Sequence, residues 1–172
     1  MNRKSVAYWT LFAVTLAVYG TMAGWTLPAI ARDAGGLAAL DMRPGGYSPE
    51  EARAFLVALG DRGRAIYLGP QHRLDLIYPA LLALLLIGAV RALIAPLWLQ
   101  ICLSLLALGG MAADYLENAR VAALLRRADA IPDAALVAAS RATEFKAGLT
   151  ALVMLAVCAG LVRAAWKAWR KT

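Results

Sequence analysis

Four long apolar blocks constrain this chain more than any other feature of its sequence. They cover residues 5–30, 74–94, 97–113 and 149–162, and no block shows the period-3.6 polar stripe of a soluble bundle helix. A helix crosses the hydrocarbon core of a bilayer with about 20 apolar residues. Composition agrees, because 62% of the residues are hydrophobic and only 17% charged. A soluble domain keeps roughly half its residues apolar and about a quarter charged, so lipid is the expected solvent. The predicted fold is an all-α membrane protein, a four-transmembrane-helix bundle with a short extracytoplasmic amphipathic helix between the first and second spans. The spans are placed at about 5–30, 74–94, 97–118 and 143–163, within a single domain of residues 1–172.

The first block follows the basic start Asn2-Arg3-Lys4, and Ala29-Ile30-Ala31 offers a signal-peptidase pattern. Its apolar run exceeds the about 7–15 residues of a cleaved signal, which predicts a retained helix. Gly20 and Gly24 form a GxxxG continuing the small residues Ala13 and Ala17, a pattern that predicts close helix packing in lipid.

Residues 32–73 form the one sizeable segment outside the spans. Asp41-Met42-Arg43-Pro44-Gly45-Gly46 reads as a turn. Ser48 as N-cap, Pro49 at the first position and Glu51 closing a capping box start a helix. That helix places Ala52, Phe55, Leu56 and Leu59 on one side, suited to the membrane face or to capping the bundle. Its continuation through Ile66 and Tyr67 would end at Gly69-Pro70, with Gly60 and Gly63 as interruptions. The third span extends as a polar helix to about Arg127, Ile131-Pro132-Asp133 turns the chain, and a long helix over 133–169 follows.

The formal charge of +7 is concentrated beside apolar ends, at Arg3, Lys4, Arg163, Lys167, Arg170 and Lys171. Cations there set orientation and meet headgroups, so no nucleic-acid partner is expected. An even number of spans with basic termini predicts both termini in the cytoplasm and residues 32–73 outside. The Ala-, Leu- and Arg-rich composition points to a multi-pass protein of a bacterial inner membrane. Tyr8, Trp9, Trp98, Trp166 and Trp169 would mark one interface, and Trp25, Tyr78 and Tyr115 the other.

Counting span lengths from the cytoplasmic side brings polar residues of three helices to one level at the outer edge. Asp75 and Tyr78 lie on the second span, Asp114, Glu117 and Asn118 on the third, and Thr143 and Lys146 on the fourth. Asp114, Glu117 and Asn118 stand at i, i+3 and i+4, hence on one face. Two readings are open for this layer. Close carboxylates can divide acid and base roles or hold a cation, with Lys146 orienting an anionic headgroup. Alternatively, Arg73, Arg120, Arg141 and Lys146 balance Asp75, Asp114, Glu117 and Glu144 in a network that fixes helix register.

Other chemistry has little support. His72 stands without the partners of a zinc or di-iron site, so neither metal nor cofactor is expected. Cys102 and Cys158 sit in apolar blocks as packing residues, and GxSxG, HExxH and Walker patterns are missing. In outline, four spans with an extracytoplasmic helix resemble the quinone-linked disulfide-forming membrane proteins, although the CxxC of that group is lacking. The outline is also similar to the small emopamil-binding sterol isomerase group, which uses paired acids in a helical bundle. No residue is carried over from either. The sequence thus predicts a small membrane protein whose carboxylate-containing pocket binds or modifies a lipid or small amphiphile. The alternative is an accessory subunit, docking a membrane-protein partner or a second copy, whose polar layer only holds helices in register.

Overall fold

The computed structural model describes residues 2–127 and 131–170; Lys171 lies outside them. All the regular structure of the described residues is helical, without strands. Helix α1 (Arg3–Thr21) passes through a π turn, Met22–Thr26, into α2 (Leu27–Asp33). A short 3₁₀ turn, Leu40–Met42, precedes α3 (Pro49–Ala58) and α4 (Asp61–Ile66). A second π turn, Tyr67–Gln71, joins α4 to α5 (His72–Leu93), and α6 (Leu97–Arg126) and α7 (Asp133–Trp169) complete the bundle.

Four continuous rods result, Ser5–Asp33, Asp61–Leu93, Leu97–Arg126 and Asp133–Trp169, each long and apolar enough to cross a membrane. At 1.5 Å per residue they reach about 45–55 Å, well beyond the roughly 30 Å of a hydrocarbon core. The end of the bundle that carries residues 34–60 is called the cap end below; at the other end α7 runs on to Trp169 beyond Arg163, which donates to the Leu93 carbonyl. Both π turns have a local cause. Pro28 and Pro70 lack an N–H and cannot bond to the carbonyl four residues before them, so each helix widens one turn there.

The predicted capping box is present. Ser48 Oγ accepts from the Glu51 N–H at 3.2 Å, and Glu51 Oε2 accepts from the Ser48 N–H at 2.7 Å. Ala52, Phe55 and Leu59 form the buried face of α3, whereas Val57 on its other side is exposed. The helix nevertheless stops at Leu59, not at Gly69-Pro70 as its sequence suggests. Leu59 and Gly60 are extended, and α4 starts anew because Gly63 must approach α2: its N–H donates to Asp33 Oδ2 at 2.7 Å. A Cβ on Gly63 would stand 2.5 Å from that same oxygen. The Gly69-Pro70 pair is absorbed by the π turn, so the rod continues without a break.

Two apolar clusters stack along the bundle. One, at the cap end, joins Ile30, Leu40, Tyr47, Phe55 and Tyr67 to Val121, Leu124, Leu125, Leu136 and Ala139. The other lies deeper and contains Leu86, Val90, Leu103, Ala107 and Val153. Arginines tie the ends: Arg53 donates to the Ile131 carbonyl and pairs with Asp133, and Arg64 donates to the Leu125 carbonyl. Close approaches between rods occur at Gly88, against the Tyr8 ring, and at Gly160, against Leu93. Gly20 and Gly24, by contrast, face open space, with no atom within 4 Å of a Cβ built on either.

A buried carboxylate layer beneath a folded cap

Between the two apolar clusters the three most tightly packed helices turn polar residues inward. On α6, Asp114, Glu117 and Asn118 share one face as their spacing requires. On α7, Thr143 and Lys146 meet them. Glu117 is completely buried; its Oε1 accepts from the Thr143 hydroxyl and its Oε2 is paired with the Lys146 ammonium. Lys146 Nζ also reaches Asp114 Oδ2 at 3.7 Å. The Asn118 amide donates to Asp114 Oδ1 and to the Asp75 backbone carbonyl, both at 3.1 Å, stitching α6 to itself and to α5.

Asp75 is buried as well, yet its carboxylate has no ion-pair partner among the described residues. Its contact is the Gln71 amide, at 2.9 and 3.1 Å to the two oxygens. The Gln71 carbonyl oxygen accepts in turn from Thr26. The two π turns therefore meet here, one supplying Thr26 and the other Gln71. Tyr78 joins by its ring, packed against Tyr19 with centroids 5.9 Å apart, and makes no hydrogen bond to the layer.

The sequence thus identified residues that the fold does bring together: Asp75, Asp114, Glu117, Asn118, Thr143 and Lys146 lie in one layer, with Tyr78 beside it. Four further members come from positions that sequence reasoning passed over. Thr26 and Gln71 are two. The others descend from the cap: Asp41, whose Oδ1 accepts from the Tyr67 hydroxyl, and Tyr47, whose N–H donates to Ser140 Oγ at 2.8 Å. Gly46, with φ of +78°, sets the turn that places Tyr47. The Tyr47 hydroxyl is buried beside Thr143 and Glu117, and burial pushes the phenol well above its ordinary range, so it stays protonated at all physiological pH. Gln71 had a legible signal, since it stands four residues before Asp75 on the same helix face.

The charge balance predicted from sequence is not what the layer contains. Arg73 and Arg141 are exposed, Glu144 is exposed, and Arg120 donates to the Ala138 carbonyl. Long guanidinium side chains reach outward from such positions because hydration there costs nothing. Asp75, Asp114 and Glu117 are left with Lys146 as their one ion-paired cation among the described residues, and Asp41 adds a further acid within electrostatic reach of all three. No group of acids, cysteines or histidine converges as metal ligands would, among the described residues.

Space around the layer is unevenly distributed. Beside Asp75 lies a cavity of about 10 Å³, lined in part by Tyr67, His72, Asn118 and Val121. A second of about 10 Å³ lies below Asp114, against Gly110 and Thr150. Ligand-sized space lies next to the layer: an open groove of about 430 Å³ between α5 and α6, lined by His72, Leu76, Tyr115, Asn118, Ala119, Ala122 and Arg126. Tyr115 fixes its floor by donating to the Leu76 carbonyl at 3.0 Å. A further groove of about 300 Å³ at the other end, against Tyr8, Trp9, Phe12 and Leu161, is almost wholly apolar. Compared with known proteins, the chain matches no family model, no curated protein and no solved structure.

Proposed function

We propose that this chain is a multi-pass membrane protein that holds a lipid or small amphiphile at the outer leaflet, in the groove between α5 and α6. The observation that carries this reading is that the groove and the buried carboxylate layer share Asn118. The groove volume, about 430 Å³, falls in the range of small-molecule sites. His72 and Arg126 supply cationic or hydrogen-bonding groups for an anionic head, while Leu76, Ala119 and Ala122 offer an apolar wall to a chain. Both hydrogens of the Asn118 amide are committed to the layer, which leaves its carbonyl oxygen as an acceptor. In this reading the cap is extracytoplasmic and the termini are cytoplasmic, which the basic residues flanking the first and last spans support.

The alternative, a layer that only fixes helix register, has less support. A register network is stabilised by matched charges, and here buried acids outnumber the paired cation. Unmatched buried charge weakens a bundle unless something else compensates it.

Filling the groove tests the reading. Ala119 is exposed and lines the groove, so Ala119→Trp is expected to leave the fold and melting temperature unchanged. Native mass spectrometry of protein extracted from membranes should then show co-purifying amphiphile on the natural chain and its loss, by about tenfold or more, on the variant. Equal retention by both proteins would remove the groove as the site.

A further inference from the structure

Asp75 differs from the other acids of the layer. Glu117 and Asp114 are met by Lys146, but Asp75 is met only by a neutral amide, and it stands 7% exposed. A bare carboxylate in such surroundings is costly, and a carboxyl group that carries a proton removes that cost. The groups facing it are known from each neighbouring element: Asp41 from the cap, Tyr67 and His72 from its own rod, Asp114 from α6 and Lys146 from α7. Two of these are further acids, and the one cation, Lys146, is already met by Glu117 and Asp114.

A route for the proton is also built in. Asp75 and His72 line the same cavity of about 10 Å³, together with Asn118 and Tyr67. That volume is at the size of a single water, which needs two to four polar partners, and this cavity offers them. His72 and Asn118 also line the 430 Å³ groove. The groove and the cavity beside Asp75 therefore adjoin at His72 and Asn118. Imidazole is the side chain suited to pass protons near neutral pH.

We propose that Asp75 is a reversible proton-binding site inside the bundle, loaded and unloaded from the groove through one water and His72. In the unloading step the Asp75 O–H bond breaks as its proton passes to the water. A water proton passes to the His72 imidazole nitrogen, and the products are a carboxylate and an imidazolium. Loading is the reverse, and no electron changes hands. The site stands whether or not an amphiphile occupies the groove; with one present, it gives that ligand a neighbour able to give or take a proton.

The test is infrared spectroscopy of the full chain in lipid nanodiscs. The natural chain should show a protonated-carboxyl C=O band that disappears as pH rises over about 4 to 10, and carbon-13 labelling of aspartate should shift it. Asp75→Asn should remove the band. Asp75→Glu, which keeps the acid if the amide variant fails to fold, should move it out of the labelled aspartate set. After mixing into heavy water, His72→Gln should slow the deuterium shift of the band on the order of a hundredfold, the usual contribution of a positioned acid–base group. A natural chain without such a band at any pH, or a band that survives in both Asp75 variants, overturns the site. Unchanged exchange in His72→Gln overturns the route.

Discussion

Lys146→Met is expected to destabilise the chain more than any other single change in the polar layer, by about 3–5 kcal/mol. The reason lies in Glu117, which is wholly buried and whose Oε2 meets the Lys146 ammonium. Methionine fills a similar volume but leaves Glu117 and Asp114 without their cation. Since folded domains hold only about 5–15 kcal/mol in reserve, the variant should melt far lower in detergent and accumulate poorly. Glu117→Gln on the Lys146→Met background should recover much of the loss, because the amide carbonyl still accepts from Thr143 and only the less buried Asp114 is left without its cation. A double-mutant cycle over the two positions reads this coupling. If Lys146→Met melts like the natural chain, the buried charge of the layer is compensated by a group other than Lys146.

Phe55→Ala should have a comparable effect, confined to the cap. The Phe55 ring is completely buried; it stands edge-on to Tyr67 at 6.3 Å between centroids, and the Arg43 guanidinium lies 5.8 Å from its centre. Truncating a buried phenylalanine costs about 3–5 kcal/mol in lost transfer energy and residual cavity. Most of that loss falls on the segment that carries Asp41 and Tyr47, since Tyr67 links Phe55 to Asp41. The four long rods keep their own contacts. Trypsin cleavage after Arg53, on α3 itself, should accelerate by about 100-fold or more, the equivalent of roughly 3 kcal/mol. Val57→Ala on the same helix is the control: Val57 is 87% exposed, and its truncation should leave the rate unchanged.

These two variants mark the division between what could and could not be read from the sequence. The rods were legible because hydropathy alone defines them, and the i, i+3, i+4 spacing of Asp114, Glu117 and Asn118 requires a shared face. Counting residues per span then brought Asp75, Thr143 and Lys146 to the same level. The cap was only half legible. Its capping box and buried face follow from local chemistry, but the docking of Asp41 and Tyr47 depends on contacts between residues far apart in sequence, 93 positions for Tyr47 and Ser140. The pairing of Thr26 with Gln71 spans 45 positions and arises where two proline-induced π turns face each other. Gln71 is hidden for a simpler reason: hydropathy starts the second span at Leu74, whereas its rod begins at Asp61. The arginines misled because sequence gives their height along a helix but not the side to which they point.

The physical picture is a layer of buried acids closed on both sides by apolar clusters and opened on one flank by a groove. The folded cap covers the layer, and the α5–α6 flank carries the groove. The central claim is that this flank is where an amphiphile sits. A photoreactive benzophenone side chain placed at Ala119, with the same group at Ala92 in the apolar groove as control, tests it most directly. Irradiated in native membranes, the Ala119 probe should capture an amphiphile with an anionic head, and Arg126→Gln should reduce that capture. The Ala92 probe should label bulk acyl chains without regard to head. Identical adducts at both positions, unaffected by Arg126→Gln, would contradict the account.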